Sequence, residues 1–176
     1  MEFSKELSNA GLNYIKHKTE FGKWKGTPME EYEMLNPKAK GKFGEGIITS
    51  IAEGYGLNVQ PHERENAQYD FFINGIKTEA KFSGATDRNC KWRFTFNHVG
   101  LEKDWDRLIL MGVNGDLQYK IVWFTKDDIK TIMREESFLS HQQGGKESKN
   151  DDFLSSSTKA TKLLNHPFAK TLDQWS

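Results

Sequence analysis

The order of apolar and polar residues predicts a tight β-hairpin near the middle of the chain. Asn74-Gly75 lies between apolar, β-branched runs in the stretch YDFFINGIKTEAKFSG. Asn-Gly in this context is a strong signal for a two-residue hairpin loop. Such a loop defines four cross-strand pairs: Ile73 with Ile76, Phe72 with Lys77, Phe71 with Thr78, and Asp70 with Glu79. The pattern therefore predicts a hairpin over 69–82 in which two carboxylates face each other.

Upstream of the hairpin, apolar residues recur at helical spacing in FGEGIITSIAEGYG. This stripe consists of Phe43, Ile47, Ile48, Ile51, Ala52 and Tyr55, and it predicts an amphipathic helix. Gly44 falls inside the stripe, where the absence of a side chain would allow close packing on a sheet. Glu45 falls at the edge of the stripe, about 20° beyond Ala52 on a wheel of 3.6 residues per turn. We expect its side chain to point along the buried face of the helix without lying inside it.

Further helices are predicted before and after this core. Residues 3–17 show a loose helical pattern. A clearer helix starts at Thr27 as N-cap, with Pro28 at the first helical position, and ends at Asn36-Pro37. Another begins at Thr125, which has Asp128 three residues later. A short helix is predicted near TKATKLLN.

The strands that follow the hairpin differ in pattern. KWRFTFNHV alternates, with Trp92, Phe94 and Phe96 on one face, and predicts a half-buried strand. RLILMGV is a continuous apolar run typical of a central strand, and Asn114-Gly115 turns the chain into LQYKIVWF. The polar stretch 140–157 is predicted to be a long surface loop. The order of elements predicts an α/β or α+β fold, with a sheet flanked by helices.

Composition narrows the class of protein. The 176 residues are enough for one domain, and 36% apolar with 28% charged residues is typical of a globular chain. A formal net charge of zero argues against nonspecific coating of nucleic acid, although a local basic cleft stays open. A single cysteine, Cys90, excludes an intrachain disulfide and a cysteine-based zinc site and fits a reducing cytosol. Without a signal peptide or an apolar stretch of roughly 20 residues, we expect a soluble cytoplasmic protein.

The predicted hairpin contains the candidate catalytic residues. Glu79 and Lys81 are two positions apart on one strand and share a face, and Asp70 lies across from Glu79. Facing carboxylates repel each other, so a cation is expected beside them. Two carboxylates are suitable ligands for Mg²⁺, and a neighbouring ammonium can orient water or neutralise charge on a transition state. A surface salt bridge between Lys81 and the two acids, worth only ~0.2–1 kcal/mol, explains the same pattern without catalysis.

The context of this pattern resembles the PD-(D/E)XK nuclease superfamily, and is similar to type II restriction endonucleases. That family has a helix bearing an acidic residue, then an antiparallel hairpin carrying Asp and (D/E)-X-K, then a further strand and helix. The matching stretches here are GKFGEGI, QYDFF and TEAK. The resemblance covers roughly 42–130. The proline of the family motif is replaced by Tyr69, a position that varies widely in the superfamily.

The resemblance implies a restriction-endonuclease-like core with a mixed central sheet flanked by helices. It divides one nuclease domain into a helical extension over 1–41, a catalytic core over 42–130 and a C-terminal loop and helix over 131–176.

The implied activity is Mg²⁺-dependent hydrolysis of DNA phosphodiester bonds, leaving a 5′-phosphate and a 3′-hydroxyl, with Mn²⁺ as a substitute metal. Asp70, Glu79 and the Ala80 carbonyl would hold the metal, and Lys81 would position water. Glu45 would bind a second metal ion or hold a water molecule on the metal. The alternative for Glu45 is an acid that stabilises the helix dipole. The Lys81→Ala change is expected to spare folding and to remove cleavage.

Contacts to DNA are expected from four residues in particular: Lys42, Arg93, Asn97 and Lys146. Arg93, Thr95 and Asn97 share one strand face, which either touches phosphate or is simply solvated. Lys38 and Lys40 accompany Lys42 ahead of the acidic helix, and the loop 140–157 is either a groove-reading element or a linker. His62 and His98 lack metal-ligand spacing and are expected to be structural or surface residues.

Double-stranded DNA is the expected partner, with no membrane. One active site per chain implies a homodimer, or pairing with another nicking subunit, for double-strand cleavage. Two alternatives stay open from the sequence. One is a structure-specific nuclease such as a Holliday junction resolvase or a nickase. The other is a noncatalytic DNA-binding module of the same fold.

Overall fold

The computed structural model describes residues 22–62, 67–86, 93–135, 140–141 and 152–175. The predicted helix over 3–17, Cys90 and Lys146 lie outside the described residues. Five helical segments are described: α1 (Glu30–Met34), α2 (Pro37–Gly54), α3 (Lys126–Glu135), α4 (Thr158–Leu164) and a 3-10 turn (Leu172–Gln174). Eight strands are described: β1 (Val59–Pro61), β2 (Phe71–Ile73), β3 (Ile76–Gly84), β4 (Phe94–Gly100), β5 (Arg107–Val113), β6 (Tyr119–Thr125), β7 (Ser140–His141) and β8 (Asp152–Ser157).

The central sheet is mixed and has five strands in the order β1-β2-β3-β5-β6. β1, β2 and β3 pair antiparallel, β3 pairs parallel with β5, and β5 pairs antiparallel with β6. Helices flank this sheet, so the protein has the mixed α+β fold that the order of elements predicts. The parallel pairing of β3 with β5 requires a long crossover, and β4 lies within that crossover.

Three of the four predicted cross-strand pairs are present in the hairpin, whereas Asp70, which belongs to the fourth, lies before the start of β2. Ile73 pairs with Ile76, Phe72 with Lys77, and Phe71 with Thr78. Asn74 and Gly75 have φ of 51° and 79°, the positive values that a tight hairpin turn demands and that Asn-Gly adopts readily. The hairpin is extended by β1, which the sequence pattern does not reveal.

A second sheet has the order β4-β8-β7. The alternation predicted for β4 is present, since Phe94 and Phe96 are buried and Thr95 and Asn97 are more accessible. The prediction of one surface loop over 140–157 is wrong for its last part, because 152–157 form β8 and pair with β4. Pairing with β4 makes this segment a strand, although its polar composition favours a loop.

Two helix boundaries differ from the prediction. α1 begins at Glu30 rather than directly after Thr27, whose hydroxyl instead donates to the Trp24 carbonyl in a preceding turn. α2 begins at Pro37, with the Asn36 side chain accepting from the Ala39 N–H as N-cap. The lysine-rich stretch thus belongs to the helix, which runs through the boundary expected between 41 and 42.

The helix α2 packs closely on the sheet at Gly44. A Cβ at this position would lie 2.3 Å from the Phe82 Cβ, so only glycine permits the observed approach. Ile48 and Ala52, one and two turns later, are fully buried. The predicted function of Gly44 as a close-packing residue is confirmed, and the contact sets α2 against β3.

The turn after β5 is longer than Asn114-Gly115 alone, because β6 begins only at Tyr119. Asn114 closes this loop by donating to and accepting from Gln118. The Thr125 cap of α3 is confirmed, since the Asp128 N–H donates to the Thr125 hydroxyl. None of the described helices is long and apolar enough to cross a membrane.

Candidate active site

Asp70 immediately precedes β2 and is held at both its main chain and its side chain. Its N–H donates to the Thr78 carbonyl at 3.0 Å. Its carboxylate accepts a hydrogen bond from the Ala80 N–H at 2.7 Å. Ala80 follows Glu79 on the opposite strand, so this hydrogen bond attaches the Asp70 carboxylate to the backbone of β3.

Glu79 and Lys81 lie on the same face of β3, as predicted. The Lys81 Nζ lies 2.5 Å from the Glu79 Oε1, and the Glu79 side chain is only 4% exposed. Lys103, from the connection between β4 and β5, brings a second ammonium to 3.8 Å from the same oxygen. Lysine side chains thus supply positive charge beside Glu79.

Burial raises the pKa of Glu79, and the Asp70 carboxylate raises it further, while Lys81 and Lys103 oppose this shift. Burial likewise raises the pKa of Glu45, with a further contribution from Asp70, against the lowering effect of Lys81. Asp70 therefore disfavours the charged form of one glutamate on α2 and of one glutamate on β3. This repulsion is the condition that a bound cation would relieve.

Two clefts meet at Glu45 and Asp70, and Glu79 lines neither of them. The first, named here the β3 cleft, has a volume of about 330 Å³ and is lined by residues that include Glu45, Asp70, Ala80, Lys81 and Asn97. The second, named the α2 cleft, has a volume of about 530 Å³ and is lined by residues that include Lys42, Glu45, His62 and Asp70. Glu45 and Asp70 line both clefts, so a ligand in either cleft meets a carboxylate.

The structure brings together some of the predicted DNA contacts and not others. Asn97 lines the β3 cleft and Lys42 lines the α2 cleft. Arg93 is exposed and lines neither cleft; it precedes β4, in which Thr95 lines the β3 cleft.

The donor set fits a hard divalent cation that shares its shell with solvent and substrate. Among the described residues, no three His, Cys, Asp or Glu side chains are arranged as a complete metal cluster. Mg²⁺ requires only one or two protein carboxylates, because water and substrate phosphate supply its other ligands. Asp70 and Glu45 present carboxylates to the β3 cleft, and Ala80 lines the same cleft. These are oxygen ligands of the kind that Mg²⁺ prefers.

Several residues at the site do not follow from the sequence pattern. Lys103 lies 22 positions beyond Lys81 with no motif linking them, and Tyr32 and Lys40 reach the β3 cleft from α1 and α2. The lysine-rich start of α2 was a signal for Lys40. His98, expected to be structural or a surface residue, is exposed and also lines the β3 cleft.

No protein-family model and no curated protein matches this sequence. Among solved structures, a bacterial homing endonuclease is similar, with a TM-score of 0.42 and 17% sequence identity, over 55% of this chain and 70% of that one. The likeness is confined to part of the backbone, and the function proposed below depends on the side chains of the site.

Proposed function

We propose that this protein is a metal-dependent endonuclease that hydrolyses phosphodiester bonds in double-stranded DNA. The observation that carries the proposal is that Glu45, Asp70, Ala80 and Lys81, from a helix and both arms of a hairpin, line one cleft. The resemblance to the PD-(D/E)XK superfamily assigns a function to the same four positions together with Glu79. Carboxylates with an adjacent ammonium match the needs of a reaction that develops negative charge on a phosphate.

Asp70, Glu79 and the Ala80 carbonyl would hold Mg²⁺, with Mn²⁺ as a substitute, and Glu45 would complete the site from α2. When bound, the ion would polarise the scissile phosphate and favour deprotonation of water. Asp70 is kept in place by the Ala80 N–H, which limits the positions that its carboxylate can take. Glu79 is kept in place by Lys81.

Lys81 has two functions in this proposal. It neutralises the buried Glu79 in the protein without substrate, and it orients the attacking water or stabilises the phosphate charge when DNA is bound. Lys103, at 3.8 Å, remains near Glu79 when Lys81 turns toward substrate. The products would be a 5′-phosphate and a 3′-hydroxyl.

A restriction-type endonuclease that acts as a homodimer, or with another nicking subunit, would account for cleavage of both strands from one site per chain. The substrate that is cut distinguishes this activity from that of a resolvase or a nickase. A noncatalytic DNA-binding module would cut none.

The test is incubation of purified protein with supercoiled plasmid, linear DNA and a four-way junction, with and without Mg²⁺. The control is Asp70→Asn, in which the amide oxygen still accepts the Ala80 N–H while the charge is removed. Discrete bands that require metal and are absent with the variant would support a sequence-specific endonuclease. Nicking, or cleavage of the junction alone, would favour the structure-specific alternative. Absence of cleavage on all substrates would overturn the catalytic proposal.

A further inference from the structure

Strand β4 contains one residue more than its partner strand requires. Phe96 pairs with Ser155 and Val99 pairs with Phe153, so two residues of β4, Asn97 and His98, face the single position between them on β8. This is the arrangement of a β-bulge, which bends a strand and redirects its side chains.

The bulge changes which side chains point into the β3 cleft. In a regular strand, successive side chains alternate, so Phe94, Phe96 and His98 would share one face. Instead, Val99 is 1% exposed in the core beside Phe94 and Phe96. His98 is exposed and lines the β3 cleft together with Thr95 and Asn97. The extra residue therefore places two consecutive polar side chains in the cleft.

The backbone at His98 has the conformation that glycine prefers. Its φ is 59°, in the left-handed region that few non-glycine residues adopt, although histidine is among those found there more often. Glycine would take this conformation without steric penalty. A strained residue in a cleft is a reason to look for a function of its side chain.

We propose that His98 contacts the substrate, with its imidazole and the Asn97 amide donating hydrogen bonds to a phosphate of the DNA strand beside the scissile bond. The inference rests on the proposed function, because it takes DNA as the ligand of the β3 cleft. Lys40 lines the same cleft and supplies positive charge for a phosphate. A phosphate contact positions the strand without reading its sequence. His98 is thus a substrate-binding residue that the bulge brings to the cleft.

The test compares His98→Gly with Leu117→Gly. Leu117 has a φ of 60°, is 51% exposed in the loop before β6, and lines neither cleft. Its replacement by glycine therefore relieves the same backbone conformation at a position away from the site. Thermal midpoints and the Kd of labelled duplexes of several sequences, measured by fluorescence anisotropy without divalent metal, are the readouts. Cleavage is measured separately with Mg²⁺.

The thermal midpoints establish that both variants are folded. Only His98→Gly should bind DNA more weakly, by about tenfold and equally for all sequences, as for loss of one charge-assisted hydrogen bond. His98→Asn, which tolerates the backbone and restores a donor, should recover part of the affinity. Unchanged affinity in folded His98→Gly, or a loss limited to certain sequences, would overturn the inference.

The outcomes for the two proposals are distinguishable. Cleavage by wild type with unchanged binding in His98→Gly would remove the His98 contact and leave the nuclease. Weaker binding in His98→Gly without any cleavage by wild type would leave the contact and remove the catalytic function. If wild type neither binds nor cleaves DNA, both proposals are overturned.

Discussion

The Lys81 Nζ lies 2.5 Å from the Glu79 Oε1, although the two residues are separated by only one position on β3. The strand period places both on one face, and the carboxylate is buried while the lysine remains 20% exposed. Lys81 is the partner that the buried Glu79 carboxylate needs in order to remain charged. It is also the residue to which the proposed function assigns catalysis. A change at Lys81 is therefore expected to affect both stability and the proposed activity.

Lys81→Ala is expected to lower stability as well as remove cleavage. Glu79 would keep only the more distant Lys103, and a buried charge that loses a partner costs about 1–3 kcal/mol in the free energy of unfolding. Urea denaturation at pH 7 without divalent metal would measure this loss. The sequence predicts that this change spares folding, but the burial of Glu79 beside Lys81 makes a loss of stability the expected result.

The double variant Glu79→Gln with Lys81→Ala serves as the control for that prediction. It removes the buried charge together with its partner and should be more stable than Lys81→Ala alone. Equal unfolding midpoints for wild type and Lys81→Ala would show that the ion pair contributes nothing to stability.

Divalent cations should raise the thermal midpoint of the wild-type protein, because a ligand that binds only the native state stabilises it. Ca²⁺, Mg²⁺ and Mn²⁺ are compared by differential scanning fluorimetry. Asp70→Asn should remove the shift. Asp127→Asn should keep it, since the Asp127 side chain is 92% exposed and lines neither cleft. An equal metal shift in both variants would mean that the ions bind elsewhere.

Gly44→Ala and Gly46→Ala should change stability in opposite directions, although both lie in α2. A Cβ at position 44 would lie 2.3 Å from the Phe82 Cβ, whereas nothing lies within 4 Å of one at position 46. Overpacking at 44 is expected to cost about 1–3 kcal/mol. The change at 46 should stabilise by up to about 1 kcal/mol through helix propensity. Chemical denaturation of both variants checks the sign, and equal effects would contradict the close approach of α2 to β3.

Asp128→Asn should destabilise the protein at neutral pH, in a manner that depends on pH. Partial burial raises the pKa of Asp128, but hydrogen bonds from Lys170 and Thr125 outweigh it and leave the pKa below its ordinary value. Its stabilising contribution is therefore full above the unfolded pKa of about 3.9 and is lost as the pH falls through the lower folded pKa. The pairs involved are Lys170 Nζ at 2.6 Å and the Thr125 N–H at 2.8 Å.

The expected difference is about 0.5–2 kcal/mol at pH 7, as for loss of a helix cap, and it should diminish below about pH 4. Urea denaturation at several pH values, with Asp127→Asn as the control in the same helical turn, measures it. A difference that is independent of pH would show that the Asp128 charge is not involved.

Much of the local structure could be predicted from the sequence because it depends on short-range chemistry. Asn74-Gly75 accepts positive φ, which selects the turn and hence the register from Ile73–Ile76 to Phe71–Thr78. Gly44 within an apolar stripe indicated close packing of α2. The cap at Thr125 acts over one helical turn, so its residues are sufficient to predict it.

Pairing between distant segments could not be predicted in this way. The parallel contact of β3 with β5 and the departure of β4 to a second sheet depend on which faces are buried together. The serine-rich segment 152–157 forms β8 because β4 offers it a partner, whereas its composition favours a loop. Strand preference depends on such neighbours more than on the residue itself.

The sequence by itself determined the hairpin and the placement of Glu79 and Lys81 on one face, since a strand period and a turn type are local properties. Only the tertiary structure decided that Glu45 reaches the same cleft, that Lys103 joins Lys81 at Glu79, and that a bulge turns His98 into that cleft. These contacts join residues far apart in the chain. They are set by packing of α2 on β3 and by pairing of β4 with β8, which no short stretch of residues specifies.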